Sequence, residues 1–368
     1  MIKRSLYLLV LWIGYLSLTA QTSIEVPMSE QHWNINANTY LFEVFKGEES
    51  IYLPQGAIFL PNVDFHNGII EFDFSVPESR GFPGLFFRIV DDQNREEFYV
   101  RPHQSGNPDA NQYTPVFNGL ACWQLYHGDG YSGQIKYRFG EWHHVKLIIS
   151  GTAGEVYIDD MKNPLFQIHE LKHGDISGGI ALRGGANIRY ANFSYSLNEN
   201  QSLGKDRKAL AELPKNTIAR YQVSHSVYDS LVLNQTTLNP ALSSDTDWHV
   251  METENTGLLN IARMAKKSDK KNTSLVKIVI DSESDQIKPL DFGYSDVAHA
   301  FLNGKTIYAG QRVFRTRDYR YLGTIGYFDT LFLDLKKGSN ELIFAISENF
   351  GGWGLKAKMD DQEGITIR

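Results

Sequence analysis

Short runs of alternating apolar and polar residues fill much of the first half of the chain, and turn-forming residues separate them. The runs are GIIEFDFSV, GLFFRIV, EEFYVRP, HHVKLIIS, EVYIDD, GGIALRG and ANFSYSL. Successive side chains of a strand point to opposite faces, so a period of two predicts strands that bury one face. Regular spacing by Gly, Pro, Asn and Asp is typical of an antiparallel β-sandwich.

The second half repeats this kind of pattern in LVKIVIDS, HAFLNGKTIYAG, TLFLDLKKG and NELIFAIS. Its Asn303-Gly304 pair predicts a tight hairpin, because both residues tolerate the positive φ angles of a type I′ turn. Between the halves lies the polar segment NENQSLGKDRKALAELPKN, which predicts a linker with one short helical stretch around Asp206 to Leu213. We therefore predict an all-β protein with two antiparallel β-sandwich (jelly-roll) domains, at 21–198 and 217–368, joined by a linker at 199–216.

Two adjacent histidines, His143 and His144, lie inside one predicted strand of the run HHVKLIIS. Neighbouring residues of a strand face opposite sides of the sheet, so these imidazoles cannot both bind one metal ion without distorting the strand. We predict that both are structural.

The first twenty residues, MIKRSLYLLVLWIGYLSLTA, join a short basic start to an apolar run that ends at the small residue Ala20. This layout predicts a cleaved signal peptide at 1–20 and a protein exported to the periplasm or the extracellular space. No later stretch approaches the roughly 20 apolar residues of a membrane-spanning helix, so no membrane span is predicted. Cys122 is the single cysteine, which excludes an intramolecular disulfide.

Charge and aromatic content narrow the class of partner. The net charge is −7, which argues against nucleic acid, because phosphate binding needs clustered positive charge. Aromatic residues make up 12% of the chain, and many stand beside Gly, Asn or Asp. Flat rings with polar neighbours suit the faces of sugars, although aromatic rings also pack sandwich cores.

The most specific motif in the first half is the hairpin W-x-x-V-K-x-x-x-x-G…V-Y-I-D, from Trp142 to Asp159. With GIIEFDFSV, GFPGLFFRIVD and the closing ANFSY, it resembles the concanavalin A-like or laminin-G-like jelly rolls of exported bacterial carbohydrate-active proteins, over about 68–195. The segments VAHAFLNGKTIYAG, LKKGSNELIFAIS and NFGGWGLKAK are similar to galactose-binding-like jelly rolls, over about 291–358. Such folds host both lectin-like modules and enzymes, so the resemblance implies a fold and not an activity.

A hydrolase of the concanavalin-like kind usually carries E-x-D-x-x-E, or a close variant, on one strand. The nearest match is Glu71-Phe72-Asp73, where the third carboxylate is missing. Alternation places Glu71 and Asp73 on one face, as on any solvent-facing strand, and we favour that interpretation.

The long insertion from Arg101 to Tyr131 offers the best candidate site, because loops of that length tend to bind ligands. Its rings can stack on sugars while its cation, imidazole and amides bond hydroxyl groups. The predicted ligand-binding residues are Arg101, His103, Gln104, Asn118, Trp123, Gln124 and Tyr126. If the protein is an enzyme, a lyase-like set of His103, Tyr113 and Arg101 is the catalytic candidate. No cofactor is predicted with certainty; loop oxygens suit a structural calcium ion, but no pattern places it.

Candidates in the second domain are Arg315, Arg317 and Tyr319, which share one face of a predicted strand, and Trp353 in the run GGWG. For Trp353, core packing is the competing interpretation. The sequence favours a secreted, non-catalytic carbohydrate-binding protein that assists polysaccharide capture or breakdown. A glycoside hydrolase or polysaccharide lyase, and a structural or adhesive module that binds another protein, stay open as alternatives.

Overall fold

The computed structural model describes residues 22–312, 320–321 and 324–368. The predicted signal peptide therefore lies outside the described residues. Within them, regular structure is almost entirely antiparallel β-strand, which confirms the predicted all-β fold class. No helix in the described part of the chain has the length and apolar character needed to cross a membrane.

The strands of the first sandwich are β1 (Ile24–Val26), β2 (Asn34–Asn36), β3 (Leu41–Phe45), β4 (Glu48–Leu53), β5 (Ala57–Phe59), β6 (Gly68–Ser75), β7 (Gly84–Asp91), β8 (Asn94–Val100), β9 (Asn111–Val116), β10 (His143–Ser150), β11 (Ala153–Ile158), β12 (Phe166–Ile168), β13 (Gly179–Arg183) and β14 (Ile188–Leu197). A 3-10 turn, Pro102–Gln104, follows β8.

These strands form two sheets that enclose one apolar core. The eight-stranded sheet has the order β12-β11-β10-β6-β14-β4-β3, with β1 beside β14, and the six-stranded sheet has the order β2-β5-β13-β7-β8-β9. Ile51, Phe87 and Leu147 are fully buried members of the core between them. The predicted alternation places these apolar side chains inward.

The strands of the second sandwich are β15 (Arg220–Val223), β16 (Val227–Tyr228), β17 (His249–Glu252), β18 (Leu259–Asn260), β19 (Lys271–Ser282), β20 (Gln286–Ser295), β21 (Val297–Leu302), β22 (Lys305–Gln311), β23 (Asp329–Leu335), β24 (Gly338–Ser347), β25 (Gly354–Lys358) and β26 (Ile365–Ile367). Its short helical elements are the 3-10 turns Asp229–Leu231 and Ile261–Arg263 and the helix α1 (Ala241–Ser244).

The second sandwich also has two sheets. The larger follows the order β17-β15-β19-β24-β21-β22, with β16 and β26 beside β19, and the smaller follows β18-β25-β20-β23. Val276, Leu290 and Phe344 are fully buried between them. Asn303 and Gly304 form the two-residue loop between β21 and β22 with φ angles of 49° and 78°, as the Asn-Gly pair predicts.

The predicted helical stretch around Asp206 to Leu213 is wrong, because this segment contains no helix. Its polar groups bond instead to the edge of the first sandwich. Gln167 on β12 donates to the carbonyl of Asp206 at 3.0 Å and accepts from the N–H of Lys208 at 3.3 Å. Bonds with a neighbouring strand thus replace those of a helix.

The insertion after β8 packs against the second sandwich. An apolar group that we call the interface cluster joins the two halves through Phe117, Cys122, Leu125, Tyr126, Leu258, Ala262 and Ile325. Polar contacts surround it: the Tyr126 hydroxyl donates to Glu254 at 2.6 Å, and Lys172 Nζ lies 2.8 Å from Glu254 Oε2. The insertion therefore belongs partly to an internal contact surface rather than to solvent.

The paired histidines face opposite sides of β10, as alternation predicts. His143 is fully buried, stacks on Phe74, accepts the N–H of Arg138 at Nε2 and contacts Asp159 through Nδ1 at 2.7 Å. His144 projects from the other face, where its Nδ1 lies 2.6 Å from Asp73. Each ring thus has its own set of neighbours.

Protonated His144 is predicted to add pH-dependent stability. Hydrogen bonding to Asp73, reinforced by Glu71, raises the pKa of His144 to about 9. A raised folded-state pKa stabilises the fold fully below about pH 6.5, and this stabilisation is lost as pH rises through about 9. NMR titration of the ring should show this pKa, and Asp73→Asn should lower it. An unchanged His144 titration in Asp73→Asn would contradict this assignment.

Candidate functional site

The outer face of the six-stranded sheet carries a row of polar and aromatic side chains. Strand pairing places Arg183, Gly84, Tyr99 and Gln112 side by side across β13, β7, β8 and β9. Their chain neighbours point inward to the core, among them Phe98 on β8. Gly84 leaves the middle of the row without a side chain, and a Cβ there would lie 2.1 Å from the carbonyl oxygen of Phe98.

A pocket of about 250 Å³ opens over this row. We call it the arginine pocket, and its lining is Arg80, Phe82, Glu97, Tyr99, Arg101, Ala121, Trp123, Arg183 and Phe350. The first sandwich supplies all of these residues except Phe350, which comes from the second. The structure thus brings two of the predicted site residues, Arg101 and Trp123, into one cavity.

Arg101 forms part of the floor and is only 3% exposed. Its guanidinium donates to the carbonyl of Asp109 at 3.0 Å, to the hydroxyl of Tyr99 at 2.7 Å and to the side-chain oxygen of Gln112. The carboxylate of Asp109 lies 3.6 Å away. These contacts hold the charge of Arg101 in a fixed place beneath the cavity, as burial of a cation requires.

Glu97 is the carboxylate of the pocket and already has cationic neighbours. Arg95 holds its Oε1 with two donors at 2.6 and 3.0 Å, and Arg183 Nη1 lies 3.5 Å from its Oε2. Both donors reach the same carboxylate oxygen, so the contact is a pair of charge-assisted hydrogen bonds rather than a two-oxygen fork. Glu97 therefore positions Arg95 and Arg183 along the sheet.

Trp123 forms one wall of the pocket, with Phe350 of the second sandwich against it. The two ring centroids are 5.6 Å apart in an edge-on contact. Gly351 makes this approach feasible, because its φ is +87° and a Cβ at that position would lie 2.3 Å from Trp123 Nε1. The second sandwich thus supports the tryptophan from behind.

His103 lies beside the pocket, behind Phe82, and does not line it. The ring packs edge-on against Phe82 at 5.5 Å. Burial lowers the pKa of His103, and the positive charges of Arg80 and Arg101 lower it further. The ring packs beside the pocket and is not part of its lining.

A broad groove continues from the pocket along the same sheet face. It has a volume of about 580 Å³ and shares Arg183 with the arginine pocket. Its lining is Asn36, Pro54, Gln55, Gly56, Ala57, Phe59, Phe86, Ile89, Asp91, Asp92, Arg95, Arg183, Gly184 and Gly185. We call this surface the sheet groove.

Three predicted ligand contacts lie instead at the contact between the sandwiches. Gln124 is 1% exposed and accepts the hydroxyl of Ser295 at 2.7 Å. Tyr126 is fully buried, and Asn118 donates to the carbonyl of Ala262 at 2.8 Å. These residues were predicted to meet a ligand, whereas the structure places their polar groups in hydrogen bonds with the second sandwich.

Gln104 lies outside the pocket, in the 3-10 turn after β8. Its side-chain oxygen accepts from Asn107 at 2.5 Å, and its backbone N–H donates to the carbonyl of Arg101. These bonds fix the turn locally.

The lyase-like set of His103, Tyr113 and Arg101 does not assemble. Tyr113 lies in the core on the inner face of β9, whereas Arg101 lies under the outer face. The Tyr113 hydroxyl donates to Glu96 at 2.8 Å, and burial raises its pKa well above the ordinary value. A tyrosine that acts as a base needs the opposite shift, so this set is corrected as a catalytic centre.

Of the second-domain candidates, Arg315, Arg317 and Tyr319 lie outside the described residues. Trp353 is fully buried in the core, and its indole N–H donates to the carbonyl of Ile346 at 2.8 Å. Core packing is thus the role of Trp353, and the ligand-binding alternative is corrected.

The pocket also contains residues that sequence reasoning missed: Arg80, Phe82, Glu97, Tyr99, Ala121, Arg183 and Phe350. Alternation in EEFYVRP places Glu97, Tyr99 and Arg101 on one strand face, and this pattern could have predicted that the three residues share a site. Nothing in the local sequence marks Phe350, which reaches the site from the other sandwich.

Within the described residues, one His and carboxylate group is close enough to share a metal ion. It consists of His225, Asp247 and His249, whose ligand atoms lie within 4.8 Å of one another in the second sandwich. None of the three lines the arginine pocket.

Comparison of the chain with known proteins finds similar chains among solved structures. No protein-family model matches it, and no curated protein does. Among solved structures, it is similar to the carbohydrate-binding module CBM66 from Bacillus subtilis, with 17% identity over 45% of this chain and 95% of that one, at a TM-score of 0.35. It is also similar to a putative glycosyl hydrolase from Parabacteroides distasonis, with 16% identity over 46% and 94% of the two chains and a TM-score of 0.34.

A third similar structure is a β-glucanase from Bacillus licheniformis, with 11% identity over 49% of this chain and 99% of that one, at a TM-score of 0.35. At these identities and TM-scores, the similarity identifies neither a family nor a ligand.

Two buried carboxyl groups hold the loop that carries Phe350. Asp296 Oδ2 accepts the backbone N–H groups of Asn349 and Phe350, and Glu348 accepts those of Gly351 and Gly352. Burial raises the pKa of Asp296, and the charge of Glu348 raises it further. Burial also raises the pKa of Glu348.

This pair predicts that stability falls as pH rises above the ordinary carboxyl range. A raised folded-state pKa gives stability that is complete below the unfolded pKa of about 4 and is lost as pH rises through the folded value. Between these two pKa values, the free energy of unfolding falls by up to ~1.4 kcal/mol per pH unit for each proton. Asp296→Asn keeps an oxygen for both N–H groups and cannot ionise, so it should flatten the slope in urea unfolding measured from pH 5 to 8. The exposed Glu49→Gln serves as control, and an unchanged slope in Asp296→Asn would contradict the assignment.

Proposed function

We propose that this protein binds carbohydrate at the arginine pocket, without catalysis, as a secreted accessory in polysaccharide capture or degradation. One observation carries the proposal: four aromatic rings and three arginines line one cavity over the sheet face. Aromatic rings cover the apolar faces of sugars, while arginine donors bond to their oxygens. A cavity with a few convergent polar groups is the usual form of a small-ligand site.

The binding role is favoured over glycoside hydrolysis by the carboxyl groups. A glycosidase needs two carboxyl groups flanking the scissile bond. Among the described residues that line the arginine pocket, Glu97 is the single carboxylate, and it is held by Arg95. Glu71 and Asp73, the pair indicated by the sequence, lie on a different sheet and contact His144.

The remaining parts of the proposal rest on the sequence. The signal-like segment at 1–20 supports export, and the polar segment at 199–216 supports a division into two domains. A structural or adhesive module would need the two sandwiches to pack on each other, but that role does not account for the open pocket.

The tryptophan wall gives the direct test. Trp123→Ala should weaken binding to any glycan found in an array screen by about tenfold or more, the factor that ~1.4 kcal/mol at a binding hot spot produces. Isothermal titration calorimetry measures the affinity, and thermal denaturation checks the fold. Trp142→Ala is the matched control, because Trp142 is also partly exposed but packs on Phe45, away from the pocket lining.

The proposal fails if Trp123→Ala leaves the affinity unchanged while it lowers the melting temperature, since Trp123 would then serve only packing. Incubation of each bound glycan with the protein should yield no shorter products. Shorter products would replace the binding role with an enzymatic one.

A further inference from the structure

We propose that the arginine pocket selects an acidic carbohydrate, whose carboxylate or sulfate group meets Arg80 and Arg183 while the neighbouring sugars lie in the sheet groove. This inference rests on the proposed function and adds the class of ligand. A carboxylate and a sulfate share the chemistry that matters here, an anionic group with several acceptor oxygens.

The charge of the pocket opposes the charge of the chain. Its lining holds three arginines and one carboxylate, for a formal charge of +2, whereas the whole protein carries −7. Like charges gathered in one cavity repel one another, and that cost is offset when an anion binds between them. A neutral sugar would leave this excess charge uncompensated.

Two of the three arginines are placed to meet a ligand. Arg80 is exposed, and the side chain of Arg183 is 35% exposed. Arg183 contacts Glu97 through Nη1 at 3.5 Å, and a guanidinium has five N–H donors, so this contact does not use all of them. Forked pairing with a carboxylate or sulfate is the geometry for which arginine is best suited.

Arg101 adds a fixed charge beneath the same cavity. Its Nε–H is buried and has no hydrogen-bond acceptor among the described residues. Because this nitrogen is closed off from the cavity, Arg101 acts on a ligand through its charge and not through this donor. The depressed pKa of neighbouring His103 reflects the same positive surroundings, to which Arg80 and Arg101 contribute after burial.

The position of the charged sugar follows from the direction of β7. This strand runs from Gly84, beside Arg183, to Asp91 at the far end of the groove. Asp91 and Asp92 both line the groove and are exposed, and the cation near them, Arg95, is already paired with Glu97, so the far end disfavours an anion. The acidic unit is therefore held at the pocket end, and neutral units suit the groove beyond it.

The test compares acidic polysaccharides with neutral forms of the same chains. The probes are polygalacturonate and alginate beside their carboxyl-reduced forms, and chondroitin sulfate and carrageenan beside their desulfated forms. Affinity electrophoresis and calorimetry are run on the full mature chain at physiological salt, where non-specific charge attraction is screened. We expect at least one acidic probe to bind about tenfold more tightly than its neutral form. The uronate and sulfate arms tell the two anionic groups apart.

Variants locate the effect. Arg80→Gln and Arg183→Gln should each weaken acidic binding about tenfold, because each removes a charged donor pair. Lys136→Gln, the loss of an exposed charge outside the pocket lining, should leave affinity unchanged. Arg80 is exposed, so its substitution keeps the inference testable even if Arg183→Gln fails to fold.

The outcomes separate the inference from the proposed function. Equal binding of acidic and neutral forms that is lost in Trp123→Ala overturns the acidic preference and keeps the pocket. Acidic binding that falls equally in Lys136→Gln and Arg80→Gln also overturns it, because the attraction is then non-specific. Binding of none of these probes, with a neutral glycan bound in the array screen, overturns the acidic preference alone. Failure to bind any glycan overturns both.

Discussion

The site depends on the way the second sandwich holds the insertion that carries Trp123. Gln124, the next residue, makes two hydrogen bonds to the second sandwich. Its side-chain oxygen accepts from the hydroxyl of Ser295, and its backbone N–H donates to the carbonyl of Gly351 at 2.8 Å. Cys122, the preceding residue, is buried in the interface cluster. Because both neighbours are fixed, the backbone holds Trp123 over the outer face of the six-stranded sheet. An aromatic wall held in this way loses little conformational freedom when a ligand binds.

Beneath the tryptophan wall, the arginines of the pocket differ in their exposure to solvent. Arg101 is buried but surrounded by the acceptors of Tyr99, Asp109 and Gln112, which offset the loss of water. Arg80 and Arg183 keep access to solvent. The face therefore combines an immobile cation at the floor with adjustable cations at the rim, an arrangement that can orient a ligand by its charge while its ring rests on tryptophan.

The sequence predicted the fold well because strand alternation is a local property. The strand around His143 and the Asn303-Gly304 turn can be predicted from adjacent residues alone, and both have the predicted geometry. The prediction of a helix near Asp206 failed because the conformation of this segment depends on Gln167, a hydrogen-bond partner some forty positions away.

The site was predictable only in part for the same reason. Arg101 and Trp123 stand in an insertion whose length and composition indicate binding, and both line the pocket. Tyr126 stands in the same insertion, yet its ring is buried against Glu254, which no local pattern reveals. Arg183 was visible as a strand residue, but its place beside Tyr99 depends on pairing through β7.

A crystal structure of the mature protein with an oligosaccharide that it binds in solution tests the central claim most directly. The account predicts a sugar ring against Trp123, an acidic group within hydrogen-bond distance of Arg80 or Arg183, and further units along the sheet groove. A ligand seated on the eight-stranded sheet beside His144, or wholly on the second sandwich, would contradict it.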